Sequence, residues 1–154
     1  MRKKEREIID KELLESIIRR TKVCRIAMSL DDIPYVIPVN YGYKDNCLYI
    51  HSAREGKKLN ILKQNNKVCV EMDISDEIIS ADQPCKWSMK YQSVIGFGTA
   101  EIIDEPLEKI KALNVLMDHY SPGKLHDFQE RLIDKLVIIK IHLKTITGKQ
   151  SIET

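Results

Sequence analysis

The chain has 154 residues, four cysteines and a formal net charge of +2. That length supports one domain whose core needs no disulfides, and the small net charge argues against nucleic acid as the main partner. No stretch is long and apolar enough to span a bilayer. The basic MRKKER start lacks the apolar run and small-residue cleavage site of an export signal, so a cytoplasmic protein is expected. MRKKER itself reads as a solvated helix start rather than a nucleic-acid arm.

No repeat, linker or low-complexity segment interrupts the chain, so a single domain over 1–154 is expected. It opens with an amphipathic helix, capped by Asp10, with Leu13, Leu14, Ile17 and Ile18 on one face. From Val23 to Leu30 the period drops to two, a strand pattern, and Asp31-Asp32-Ile33-Pro34 makes a turn. Tyr35 to Tyr43 alternates again, Lys44-Asp45-Asn46 forms a hairpin loop, and the return strand runs from Cys47 to His51. A short helix carries Leu59, Ile61 and Leu62, and a strand covers Val68 to Met72. Residues 73–90 are polar and read as irregular, with Asp73, Asp76, Glu77 and Asp82 a solvated acidic loop. Ser93 to Ile103 is a strand. Pro106 opens a helix whose stripe is Leu107, Ile110, Leu113, Leu116 (or Met117) and Tyr120, stopped by Ser121-Pro122-Gly123. A short helix around Phe128 and Leu132 precedes a last strand, Leu136 to Leu143. Successive hairpin-connected strands exclude a doubly wound parallel sheet. The expectation is an α+β, mainly β fold: a six-stranded antiparallel barrel with flanking helices.

Chemistry concentrates in HSAREGKK, which joins a strand end to a helix start and offers Ser52, Arg54, Lys57 and Lys58. Free helix N–H groups, a positive dipole end and lysines together suit a phosphate, and Gly56 lets the backbone come close. The plainer reading is a solvated basic turn. His51 lies directly before this loop and is either a ligand contact or a strand-end histidine. His119 is expected to meet the carbonyls ending its helix, and His126 and His142 to lie at the surface. Gly96-Phe97-Gly98 starts like a dinucleotide fingerprint but lacks the third glycine. It marks instead a bend in a barrel strand or the approach of a flat ligand. Cys24, Cys47 and Cys69 read as small buried hydrophobes and Cys85 as a loop thiol, with no metal-ligand spacing among them.

Three blocks in register carry a resemblance: Ile37-Pro38-Val39-Asn40-Tyr41-Gly42-Tyr43, Leu48-Tyr49-Ile50-His51-Ser52-Ala53-Arg54-Glu55-Gly56-Lys57-Lys58, and Tyr91-Gln92-Ser93-Val94-Ile95-Gly96-Phe97-Gly98. With the closing Ile146-Thr147-Gly148-Lys149, the sequence resembles the pyridoxamine 5′-phosphate oxidase-like superfamily over nearly its whole length, and more narrowly its nitroimidazole-resistance branch. The resemblance implies an FMN-binding split barrel, a homodimer with cofactor sites at the interface. Pro38, Val39, Asn40 and Tyr41 would line the flavin ring, largely through backbone groups. His51, Ser52 and Ala53 would run beside the ring and ribityl chain. Lys57 with Lys58, Gly56 and the helix start would take the phosphate, and Tyr91 and Ser93 would reach the flavin from a neighbouring strand or subunit. It further implies reduction of a small electron-poor acceptor such as a nitroaromatic, with NAD(P)H as donor and His51 as catalytic residue. Two departures argue against oxidation of pyridoxamine phosphate itself. Gly56 stands where those oxidases carry the arginine of an arginine-lysine pair, and the chain ends in a short polar tail without their arginine- and histidine-containing motif. A non-catalytic flavin- or haem-binding carrier, sensor or scavenger is the alternative on the same barrel, and a structural dimer that has lost its ligand is a third. A deazaflavin would need the same flat slot and anion site.

Overall fold

Two tight turns shape the first half of the sheet. Asp31-Asp32 and Asp45-Asn46 all hold positive φ, between 51° and 60°, the backbone of two-residue hairpins whose twist matches the flanking strands. Short polar side chains tolerate that region best. The computed structural model describes residues 3–124 and 126–151. Met1 and Arg2 of the basic start, Leu125, the 152–154 tail and the Asp76 side chain lie outside the described residues.

The strands among the described residues are β1 (Glu7–Ile8), β2 (Cys24–Leu30), β3 (Ile33–Val39), β4 (Gly42–Lys44), β5 (Cys47–Ala53), β6 (Lys67–Ile79), β7 (Ser88–Ile103) and β8 (Leu136–Ser151). The helices are α1 (Lys11–Arg20), α2 (Lys57–Gln64), α3 (Pro106–Tyr120) and α4 (Glu130–Ile133). All paired strands are antiparallel, in the order β3-β2-β6-β7-β8-β5-β4, with β1 added to β8. The mainly antiparallel α+β class agrees with expectation; the strand number is eight rather than six. Lys4–Arg6 form a 3₁₀ turn leading into β1, so the basic start feeds a strand, not a helix. The stretch 73–90 is mostly ladder. Beyond a register break at Ser75/Glu77, Ile78 pairs with Met89 and Ile79 with Ser88, and Glu77 bonds Lys90 at 2.8 Å. The bulge breaks the alternation that would have exposed the strand in the sequence. β8 likewise runs on to Ser151, where Leu143 was the expected end.

β3 and β4 stand at opposite ends of the ladder, yet only Asn40 and Tyr41 separate them. Two residues span little more than ~10 Å from flank to flank, so the sheet must curl until its ends approach: a barrel left open between β3 and β4. Tyr41 anchors that junction. Its ring is fully buried, its hydroxyl donates to the Ile18 carbonyl at the end of α1, and it lies 2.7 Å from the Thr21 hydroxyl. The Tyr41 N–H donates to the Tyr120 hydroxyl at 3.1 Å, which in turn donates to the Lys22 carbonyl at 2.7 Å. His119 binds the carbonyl of Thr21, the α1 C-cap, at 2.8 Å, rather than its own helix end.

The main core fills the barrel with Ile26, Leu48, Ile50, Val70, Met72, Ile139 and Ile141, closed at one end by Leu14, Ile17 and Ile18 of α1. Asp10 caps α1 by accepting from the Glu12 N–H at 2.9 Å. A second cluster lies under α3 and α4 around Leu113, Ile133 and Ile138. The expected α3 stripe is rotated: Lys109, Ala112, Leu113 and Leu116 are buried, whereas Leu107 is exposed.

Gly98 explains part of the Gly-Phe-Gly pattern. A Cβ there would lie 2.1 Å from the His142 carbonyl oxygen, at the register shift between β7 and β8. At Gly96 a Cβ would press on the side chains of Leu143 and Val70. Both glycines therefore serve close packing inside the barrel wall, not a ligand. Gly98→Ala is expected to cost about 2 kcal/mol or more, read as a lower urea midpoint at unchanged slope. His119 supplies a pH dependence. Burial holds its imidazole below the ordinary value of 6.5, outweighing the Thr21 carbonyl. The unfolded chain therefore takes up the proton first. The associated stability is complete above pH 6.5 and is lost as pH falls through the lower folded value. Melting temperatures recorded from pH 8 to 5 should fall, and fall less steeply in His119→Gln.

Candidate functional site

Along β5 the pleat alternates: Leu48, Ile50 and Ser52 are buried toward the barrel, whereas Tyr49, His51 and Ala53 take the other face. The chain then turns through Arg54, Glu55 and Gly56 into α2. Gly56 is the N-cap with φ 126°, a conformation strained for any side chain, although a Cβ would have open space around it. It offers no side chain to the first turn, so the leading N–H groups of α2 are left uncapped.

The two lysines opening α2 differ. Lys57 is exposed and its ammonium lies over the Tyr35 ring, 4.5 Å from the centroid. Lys58 is half-buried, and desolvation pulls its ammonium below the usual lysine value. No carboxylate among the described residues lies within ion-pair reach of Lys58. Lys58 also helps hold the His51 imidazole below its ordinary value, second to desolvation. His51 keeps a substantial exposed surface, but the protein around it still favours the neutral ring. The Ser52 hydroxyl is buried with no partner among the described residues. The Ser52 hydroxyl faces the barrel with Leu48 and Ile50, whereas a partly desolvated cation and an uncapped helix start adjoin at the head of α2. That cation and helix start together suit an anion.

β3 supplies the second component. It pairs with β2 alone, so its outer edge leaves backbone groups unpaired, and Pro34 and Pro38 suit such an edge. Lys57 over Tyr35 brings the start of α2 against this strand. Pro38 is exposed and Val39 half-buried. Asn40 donates its amide to the Tyr120 hydroxyl at 3.2 Å, and Tyr41 has both its ring and its N–H engaged in packing. The Tyr41 side chain therefore holds the barrel closed and does not face an open slot. Tyr91 and Ser93 stand apart from this group. They lie on β7, with β6 and β2 between it and β3, and Tyr91 pairs with Ser75 beyond the part of β6 that meets β2. Tyr120, invisible as a site residue in the sequence, proves to organise Asn40 and Tyr41 from 79 to 80 positions away.

Of the remaining thiols and histidines, Cys47 lies 3.5 Å from His142, whose other nitrogen is 3.0 Å from Glu101. Burial raises the Cys47 thiol, however, and its residue is almost closed to solvent, which marks it as packing rather than nucleophile. Cys24 is pushed up to about 12 by burial, and Cys85 is exposed. No group of metal-ligating side chains occurs among the described residues. No helix among them is long and apolar enough to cross a membrane.

A groove of about 940 Å³ between α3 and the β4–β5 edge is lined by Tyr43, Tyr49, Lys44, Lys111 and Lys140 and does not include the lysines of α2.

Comparison with known proteins places this geometry. A crystal structure of a protein from Bacteroides thetaiotaomicron, provisionally named a 5-nitroimidazole antibiotic resistance protein, is 32% identical. It covers 94% of this chain and 86% of its own, with a TM-score of 0.84. The flavocytochrome Anf3 of Azotobacter vinelandii superposes with a TM-score of 0.87 at 18% identity, covering 99% of this chain and 72% of that one. An FAD and haem binding protein of Mycobacterium smegmatis does so with a TM-score of 0.87 at 21% identity, covering 96% and 74%. At those identities the likeness speaks for the fold. An uncharacterized protein of Rhizobium meliloti is 28% identical over 65 residues, 42% of this chain and 42% of its own length. A family model described as pyridoxamine 5′-phosphate oxidase matches residues 10–150, and the chain, a split barrel with its anion-suited loop in place, belongs to that family.

Proposed function

We propose that the protein binds FMN and reduces a small electron-poor acceptor, such as a nitroaromatic, as a homodimer with NAD(P)H as donor. The observation that carries this reading is Lys58: a partly desolvated ammonium without a carboxylate partner among the described residues, at the uncapped start of α2 and beside His51. A lone cation in such a place is stabilised by an incoming anion. Lys58 rather than Lys57 is the principal phosphate cation, because Lys57 is solvated and committed to Tyr35. Family membership and the 32% identical relative support the flavin and the nitro acceptor.

The residues fit the cofactor's needs. The uncapped N–H groups of α2, Lys58 and Gly56 would hold the phosphate. The free edge of β3 at Pro38 and Val39 would present backbone groups to the ring. Ala53 and the backbone at Ser52 would flank the ribityl chain. When bound, the flavin would supply the hydride and electron chemistry. His51, favoured neutral at pH 7, would hydrogen-bond near the reacting centre and accept or return a proton there. Tyr91 and Ser93 would join from the partner subunit, since the ladder keeps them from α2 within one chain.

The outer face of the β6–β7 ribbon supports the dimer. Ile78, Met89, Ile95 and Phe97 are exposed along it, with Val36 of β3 on the same side of the sheet: Phe97 pairs with Cys69, Cys69 with Ala27 and Ala27 with Val36. Phe97 is 56% exposed, Ile78 62% and Val36 61%. A row of large apolar groups of this length marks an interaction face. A second reading, a non-catalytic flavin or haem carrier, draws on the names of the flavocytochrome and the FAD and haem binding protein.

Purified protein should retain added FMN through filtration with its visible bands. Lys58→Ala should weaken binding about tenfold or more, and Lys57→Ala less; equal losses would contradict the assignment between the two. His51→Gln should keep FMN and lower nitro-acceptor turnover with NADH or NADPH by about 10²-fold. Retained flavin with no turnover in the wild type would favour the carrier. Phe97→Asp should sediment as a monomer where the wild type sediments as a dimer.

A further inference from the structure

The most deeply buried charge among the described residues is Lys109, 1% exposed in the first turn of α3. Its ammonium donates to Asp104 at 3.1 Å and to the Leu136 carbonyl at 3.1 Å. Asp104, between β7 and α3, also receives the Arg54 guanidinium through two N–H groups, one of them at 2.8 Å. Arg54 reaches on to the Asp134 carbonyl at 2.9 Å. One carboxylate therefore ties the loop after β5 to α3 and to the entry of β8.

We propose that Arg54 is a positioning residue, held by Asp104 and Lys109, that fixes the 54–58 loop in its anion-receiving shape before ligand arrives. The proposal rests on the flavin reading for its ligand. Three of the five N–H donors of Arg54 are already engaged, two by the Asp104 carboxylate and one by the Asp134 carbonyl, so the bidentate edge it would turn to a phosphate is occupied by Asp104. An exposed ion pair by itself contributes little. This one differs because Lys109, without Asp104, would be a buried charge lacking its anionic partner, so the carboxylate is a fixed post. Arg54 and Lys109, in that order, hold the Asp104 carboxyl below its usual range. Gly56 has no other atoms near the position of a Cβ, so packing does little to restrain the turn that Arg54 pins. Ordering a loop in advance removes that entropic cost from binding.

The test compares Arg54→Gln, Arg54→Lys and Asp104→Asn with the wild type, by FMN titration and by amide exchange of residues 55–59 in ligand-free protein. Arg54→Gln leaves the Lys109–Asp104 pair intact. It should speed exchange in this loop about tenfold and weaken FMN about tenfold. Arg54→Lys should not restore either, because a point charge cannot bridge a carboxylate and a carbonyl as the planar fork does. Asp104→Asn removes the negative charge that Arg54 is paired with, so a direct electrostatic role for Arg54 predicts tighter FMN binding, whereas positioning predicts weaker. Unchanged exchange in Arg54→Gln, full rescue by lysine, or tighter FMN in a folded Asp104→Asn would each overturn the proposal. Wild-type protein that retains no FMN would overturn the flavin reading alone, and exchange in the ligand-free loop would still decide the role of Arg54.

Discussion

Closing a sheet with two residues imposes a severe geometric demand, and Tyr41 is where this chain meets it. The backbone must leave β3, turn and enter β4 at the other end of the ladder. Nothing in a two-residue link can wander, so its anchorage decides the shape of the barrel mouth. Tyr41 sends its hydroxyl to the last turn of α1 and gives its N–H to Tyr120, while Tyr120 and His119 bind carbonyls just beyond α1. Two helices from distant parts of the chain thereby clamp one junction. Gly42 completes it: a Cβ there would lie 2.6 Å from the backbone of Leu116, so α3 rests directly on the start of β4. The exposed edge of β3, and whatever it receives, takes its position from this clamp.

Charge near that edge is arranged by a contrast between satisfied and unsatisfied cations. Arg25 is met by Glu71 and Asp73, Arg54 by Asp104, and Lys109 by Asp104 and a carbonyl. Lys58 is half-buried without such a partner among the described residues. In a low-dielectric setting the difference matters more than the count of charges, since a desolvated unpaired cation is the one whose free energy an anion improves most. Four positions away in the same loop region, Arg54 is bound by the Asp104 carboxylate and the Asp134 carbonyl. Two cationic side chains in one short motif thus differ in pairing according to which carboxylates the tertiary fold delivers.

The long β6–β7 ribbon has a similar double character. Toward the barrel it contributes Val68, Val70, Met72 and Val94 to the core, and on its outer face it exposes Ile78, Met89, Ile95 and Phe97. An antiparallel ribbon with one solvated face ordinarily alternates apolar and polar groups, and this one departs from that pattern.

Much of this was legible in the residues alone. Alternation marked β2 and β5 but ran β3 and β4 together as one strand from Tyr35 to Tyr43; Asp10 marked the start of α1, and Asp31-Asp32 and Asp45-Asn46 lie within the expected turns, because those signals are local consequences of pleat, capping and turn sterics. The HSAREGKK motif identified the loop, since strand end, glycine and helix start lie consecutively. Three things depended on tertiary contacts. The bulge past Ser75 hid the far halves of β6 and β7 by breaking the two-residue period. Gly96 and Gly98 turned out to face neighbouring chain rather than ligand, a distinction set by what β8 and β6 place opposite them. And Lys57, Lys58, Arg54 and Tyr41 received their separate surroundings from Tyr35, the protein packed around Lys58, Asp104 and the end of α1. The local sequence determined which groups were available and in what order. Only the fold decided which of them were desolvated and which were paired, because both depend on neighbours that lie far away in the chain.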